Sequence, residues 1–188
     1  MTVATAEKRH KEASTQRTHT QPYQGASPIK INKIGHFVYE VSDIERTVKF
    51  WTDVMGFSES DRNRHGMVFL RCNADHHGIG LRQTDASKRP PKGAGLEVEH
   101  LAFEVGNVEM LLKARDYLNA NNIPIIFEGR KGPGCNISLN FLDPDGYEFE
   151  IYYGIDQVDE SGKIRPSSHY RRADTLEEAI ANPVPERW

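Results

Sequence analysis

Cysteine is nearly absent. The chain of 188 residues has two, Cys72 and Cys135, in no metal-type spacing. Two thiols build no disulfide framework, so a hydrophobic core must carry the fold, and a reducing cytoplasm is the expected compartment. Long apolar runs are missing too, and so is the apolar segment of a secretory leader in MTVATAEKRHKEASTQRTHTQPYQGASP, so a membrane is not an expected partner. Charge of one sign is also lacking. Lys and Arg number 24 against 27 Asp and Glu, for a net charge of −3, and no basic block stands out. That argues against nucleic acid as a partner. Residues 1–28 have almost no large apolar side chain. They cannot bury enough surface to offset the entropy of ordering and are expected to form a mobile tail.

What is present begins near Ile29. IGHFVYEV (34–41) alternates as a strand does, and SDIERTVKFWTDVMGF follows with a cap at Ser42 or Asp43. Ile44, Val48, Trp51 and Met55 share one helical face, with Trp51 a core residue, and Gly56 ends the helix. MVFLRC and HGIGLRQ are strand-like, and the Lys, Pro and Gly of DASKRPPKGAG (85–95) read as a linker. Then the pattern restarts. VEHLAFEV is a strand, GNVEMLLKARDYLNANN a helix, and IPIIFEG, NISLNFL and YEFEIYY are three more strands. At an offset of 64 residues, His36 meets His100, Glu40 meets Glu104, Val41 meets Val105, Glu45 meets Glu109 and Lys49 meets Lys113. This predicts an α+β fold of two paired β-α-β-β-β modules, about 29–84 and 96–155, forming a concave mixed sheet within one domain, 29–155. Residues 156–188 are expected to be a tail. It contains a short helix capped by Thr175 and Glu178 and stopped by Pro183, which needs a surface to pack on.

Alternation along a strand places His36, Val38 and Glu40 on one face, opposite Phe37, Tyr39 and Val41. His100, Ala102 and Glu104 do the same, opposite Leu101, Phe103 and Val105. The apolar faces suit the helices, which leaves both histidines on the other side. The last strand adds Glu148, Glu150 and Tyr152 on one face after a Pro-Asp-Gly turn. Two imidazoles and one carboxylate form the ligand set of non-haem Fe(II), and they also suit Mn(II), Zn(II) or Ni(II). Ligand type alone does not choose among these metals, nor between the two glutamates.

The strand histidines, their repeat, and FLDPDGYEFEIYYG resemble the vicinal oxygen chelate superfamily. That superfamily includes glyoxalase I, methylmalonyl-CoA epimerase, bleomycin- and fosfomycin-resistance proteins and the type I extradiol dioxygenases. The resemblance covers roughly residues 30–155 and is nearest to one-domain extradiol ring-cleaving dioxygenases. It implies His36, His100 and Glu150 as Fe(II) ligands, a catechol-type aromatic substrate with O2, and a homo-oligomer. It further implies His77, in HHGIGL, as an acid–base group beside the metal, with His76 a bystander in the turn. Asn140 and Lys131 stand where many extradiol enzymes carry a tyrosine and a histidine. An amide can hydrogen-bond a substrate oxygen but supplies no phenolic proton.

Two rivals stay open. One is a glyoxalase, isomerase or epimerase type of metalloenzyme on the same fold. The other is a metal-free drug-binding protein of the resistance type. GRKGPGC (129–135) does not precede a helix and is expected to be a mobile loop over the site, with Arg130 or Lys131 meeting an anionic substrate.

Overall fold

Asp43 opens the first helix. Its carboxylate accepts from the Arg46 amide at 3.0 Å, which satisfies one of the free N–H groups of the first turn. In the computed structural model, which describes residues 34–88, 98–158 and 162–185, this helix joins two strands of one module. The order is β1 (Phe37–Val41), α1 (Ile44–Lys49, continuing through a π-helical turn at Phe50–Val54), β2 (Ser58–Arg62), β3 (Val68–Arg71) and β4 (Ile79–Gln83). The second module repeats it as β5 (Leu101–Glu104), α2 (Val108–Ala120), β6 (Ile125–Gly129), β7 (Ile137–Leu142) and β8 (Glu148–Tyr153). A third helix, α3 (Leu176–Ala181), follows.

Each module forms a four-stranded sheet, ordered β1-β4-β3-β2 and β5-β8-β7-β6. In each the first strand pairs parallel with the last, and the other pairings are antiparallel. The expected α+β fold of duplicated modules is the one found. One strand, β2, had no signal in the sequence. SESDR has no apolar alternation, and it lies at the edge of its sheet. The expected tail 1–28 and most of the expected linker 85–95 lie outside the described residues.

Both modules draw on one core. Trp51 is fully buried, with edge-on ring contacts to Phe57, Phe103 and Phe149. Phe37 and Tyr39 from β1 contact Phe149 on β8. Leu111 and Leu118 are the buried face of α2. Each such side chain removed from water contributes roughly 1.5–3 kcal/mol.

The DPDG turn between β7 and β8 fastens the modules together. The Tyr39 hydroxyl donates to Asp143 Oδ2 at 3.0 Å and accepts from Trp51 Nε1 at 2.7 Å. Asp145 accepts from the Ser42 hydroxyl, from the Ser42 amide at 3.2 Å and from Arg46 Nη2 at 2.9 Å, all at the start of α1. A carboxylate at that position also meets the positive end of the helix dipole.

Residues 164–185 belong to the same compact unit as both modules, so the short helix finds the surface it needs on the domain itself. The remaining unit, Met1–Ile31 with Val158–Lys163, falls almost wholly outside the described residues. Leu176 and Ala179 are fully buried, and α3 packs on β6 and β7. Arg130 and Ala173 exchange both backbone hydrogen bonds, at 2.9 and 3.0 Å.

Candidate metal centre

A cavity of about 740 Å³ opens where β1 and β5 begin. His36 and Phe37 come from β1 and its approach, and His100, Leu101, Ala102 and Phe103 from β5 and its approach. β8 supplies Glu150 and Tyr152, and β7 supplies Ser138. The β3–β4 loop adds Cys72, Asn73 and Asp75, and the β6–β7 loop adds Lys131, Pro133 and Asn136. The walls are mixed. Phe37, Leu101, Phe103 and Pro133 are apolar, and the imidazoles and carboxylates are gathered among them.

Parallel pairing of β5 with β8 sets Ala102 opposite Glu150 and so brings His100 close to that carboxylate. His100 Nε2 lies 3.7 Å from Glu150 Oε2, and its Nδ1 lies 3.2 Å from Glu99 Oε2. Glu150 is only 5% exposed. Its Oε1 accepts from Asn136 Nδ2 at 2.9 Å. Among the described residues this buried carboxylate is partnered by an amide and an imidazole, and by no Lys or Arg. A buried carboxylate with no Lys or Arg to balance it suits a metal cation.

His36 is exposed on the first module's side of the same cavity, its ring centroid 4.5 Å from that of His77. His77 in turn packs on Phe69, centroid to centroid 4.9 Å, and its Nδ1 stands 3.0 Å from His76 Nδ1. Burial, with His36 and His76 nearby, holds the His77 imidazole below its usual range. His76 lies in the turn, as expected. It is a hydrogen-bond neighbour of His77, which strand parity alone did not suggest.

The donors thus form two pairs, His100 with Glu150 and His36 with His77. As placed, no three His, Cys, Asp or Glu among the described residues are close enough together to hold one ion. The donor chemistry fits a divalent metal, and His36, His100 and Glu150 share the cavity.

The other expected site residues are scattered. Lys131 lines the cavity, its Nζ 5.0 Å from the Phe127 ring centroid. Asn140 is fully buried one strand step deeper than Ser138 and does not line the cavity. Its Nδ2 donates to Glu148 Oε1 at 2.9 Å, and its Oδ1 has no partner among the described residues. Arg130 does not line this cavity, being 1% exposed and bound to backbone carbonyls. Asn136 was missed, although parity held its signal: Asn136, Ser138 and Asn140 alternate onto the face that carries Glu150.

Comparison with known proteins gives a consistent family picture. The family model for the Glyoxalase/Bleomycin resistance protein/Dioxygenase superfamily matches residues 33–151. A metallothiol transferase FosB from Staphylococcus saprophyticus is 27% identical over 158 residues, covering 81% of this chain and 98% of that protein. A manganese-dependent 2,3-dihydroxybiphenyl 1,2-dioxygenase from Geobacillus genomosp. 3 is 28% identical over 131 residues, or 68% of this chain. The match spans only 38% of that dioxygenase's length. The solved structure of a glyoxylase/bleomycin resistance protein/dioxygenase domain from Frankia sp. EAN1pec superposes with a TM-score of 0.56 at 20% identity, over 66% of this chain and 99% of that one. At that identity the likeness speaks for the fold.

Proposed function

The chain belongs to the Glyoxalase/Bleomycin resistance protein/Dioxygenase superfamily, and from that premise we propose that it is an Fe(II)-dependent extradiol dioxygenase acting on a catechol-type aromatic. The observation that carries this reading is the cavity that His36, His100 and Glu150 line together. Two imidazoles and one carboxylate are the donor set of the reaction class, and they leave positions open for substrate and O2. Bound there, Fe(II) would supply Lewis acidity and the one-electron steps that reaction with O2 requires.

The chain's own residues do the rest. His36, His100 and Glu150 would hold the metal. Phe37, Leu101 and Phe103, which back onto the core, give the cavity an apolar border. His77, its ring centroid 4.5 Å from that of His36, would give or take a proton at a substrate oxygen. Lys131 at the cavity wall would orient an anionic substituent. Ring cleavage breaks one ring C–C bond beside the diol and places both atoms of O2 in the product, so no external reductant enters. Oxygen uptake on a panel of catechols after anaerobic Fe(II) loading tests the proposal. Stoichiometric uptake with a ring-opened product is expected, and both should vanish in His100→Ala and Glu150→Ala. Absence of uptake with every catechol, from iron-replete protein, overturns it.

A second reading has its own support. FosB is matched over 98% of its length, whereas the dioxygenase is matched over 38%. That length correspondence favours a two-module metalloenzyme in which the metal is a Lewis acid only, as in glyoxalase, isomerase or thiol-transfer chemistry. Turnover supported by Mn(II), Zn(II) or Ni(II) without oxygen consumption would select it.

A further inference from the structure

The segment 130–136 is not a free loop. Arg130 is buried, and its guanidinium donates to the carbonyls of Arg171 at 3.1 Å, Asn182 at 2.9 Å and Ala179 at 2.6 Å. Ala179 and Asn182 lie at the end of α3, where a helix leaves carbonyls free, and Arg171 precedes the helix. A cation there also meets the negative end of the helix dipole. Just before it, Gly129 has φ +128, and a Cβ at that position would stand 2.2 Å from the Ala173 oxygen. Just after it, a Cβ on Gly132 would touch the Tyr170 ring at 3.4 Å.

The far end of the loop is tied as well. Gly134 O accepts from the Asp156 amide at 2.8 Å, and Asp156 forms a bidentate pair with buried Arg165, both bonds at 2.8 Å. Arg165 also donates to the Pro185 carbonyl at 2.8 Å. Two residues beyond the second anchor comes Asn136, whose amide occupies one oxygen of Glu150 and leaves the other toward His100.

We propose that Asn136 is a positioning residue for the Glu150 carboxylate, and that the C-terminal segment 164–185 fixes it there by clamping loop 130–136 through Arg130, Tyr170 and Arg165. The proposal rests on the reading of Glu150 as a metal ligand. Its physical basis is that a carboxylate with one oxygen held presents the other in a single orientation, so fewer rotamers are lost when a metal binds. Groups of this kind typically change metal affinity about 10–100-fold.

The test uses the full chain, stripped of metal and titrated with Mn(II), with affinity read by calorimetry and the ligand field read from Co(II) visible absorption. Asn136→Ala is expected to weaken Mn(II) by about 10–100-fold and to shift the Co(II) bands, with little change in melting temperature. Tyr170→Ala, which loosens the clamp without touching the cavity, is expected to move both readouts the same way by a smaller factor. Arg130→Met should act likewise, and Tyr170→Ala decides if that variant does not fold. Wild-type affinity and bands in Asn136→Ala overturn the positioning role while leaving the metal reading intact. Wild-type values in a folded Tyr170→Ala overturn the clamp. A wild-type chain that binds neither ion overturns the metal reading and this inference with it.

Discussion

Trp51 has no exposed atom to spare, so its indole N–H must find an acceptor inside the protein. The acceptor is the Tyr39 hydroxyl, which donates its own proton to Asp143. Removing that hydroxyl leaves a buried donor and a buried carboxylate each short of a partner. Tyr39→Phe is expected to cost about 1–3 kcal/mol in urea unfolding, with the m-value unchanged. A cost below about 0.5 kcal/mol would show that the network contributes little. Gly129 is the second residue with a single permitted identity. Its φ of +128 and the Ala173 oxygen 2.2 Å from a built Cβ leave no room for a side chain. Gly129→Ala should therefore lose about 2 kcal/mol or more by the same measurement. Trp51 was legible as a core residue because its helical neighbours share its face. Arg130 was not. Its partners are backbone carbonyls more than 40 residues away, and a carbonyl is the same in every residue, so no side-chain pattern announces it.

At the level of elements, hydrophobic period decided what the sequence revealed. β1 and β5 alternate in exposure and β8 alternates in sequence over 148–151, so parity pointed Glu150 and the histidines that lead into β1 and β5 toward the polar side of their strands. β2 gave no such sign, because an edge strand facing water has no period to display and is safer from intermolecular pairing when charged. Its Arg62 instead bridges Glu59 and Glu45, joining β2 to α1 across the surface. The cap of α3 was legible, and its geometry adds a detail. Thr175 Oγ1 accepts from the Glu178 amide at 3.0 Å, but Glu178 returns its bond to the amide of Asp174 at 3.0 Å rather than to that of Thr175. A helix of six residues has little stability of its own, so this cap and the burial of Leu176 and Ala179 hold it together. Thr175→Ala should cost about 1 kcal/mol and raise amide exchange in Leu176–Ala181 before the rest of the molecule. Uniform exchange across the chain would place the cap outside the element's stability.

Over the whole molecule, the two modules are tied by a turn whose acids look toward the other module, and this makes stability depend on pH. Burial holds the Asp143 carboxyl above its usual value of 3.8, outweighing the donors at the Tyr147 amide, the Tyr39 hydroxyl and the Asp145 amide, while neighbouring Asp145 adds to the upward push. A raised acid binds its proton more tightly in the folded chain than in the unfolded one. Between 3.8 and the raised folded value, the native state therefore keeps a proton that the unfolded state has lost. Stability falls as pH rises through that window, and above it the full penalty of a buried charge is present. The salt-bridged carboxylates have the opposite sign. Glu177 is held low by its hydrogen bond to Arg115, and Glu45 by its hydrogen bond to Arg62, so each loses its contribution as pH falls. The raw profile mixes these terms, and a paired measurement isolates Asp143. Asn in its place keeps the oxygen that accepts the two turn amides and removes the ionisation. Unfolding free energies of wild type and Asp143→Asn, measured from acid to neutral pH, should give a difference curve in which wild type loses ground as pH rises above 3.8 and then levels off. A difference that is flat, or that rises with pH, would mean that the turn amides and Tyr39 stabilise the ionised carboxylate enough to cancel its burial.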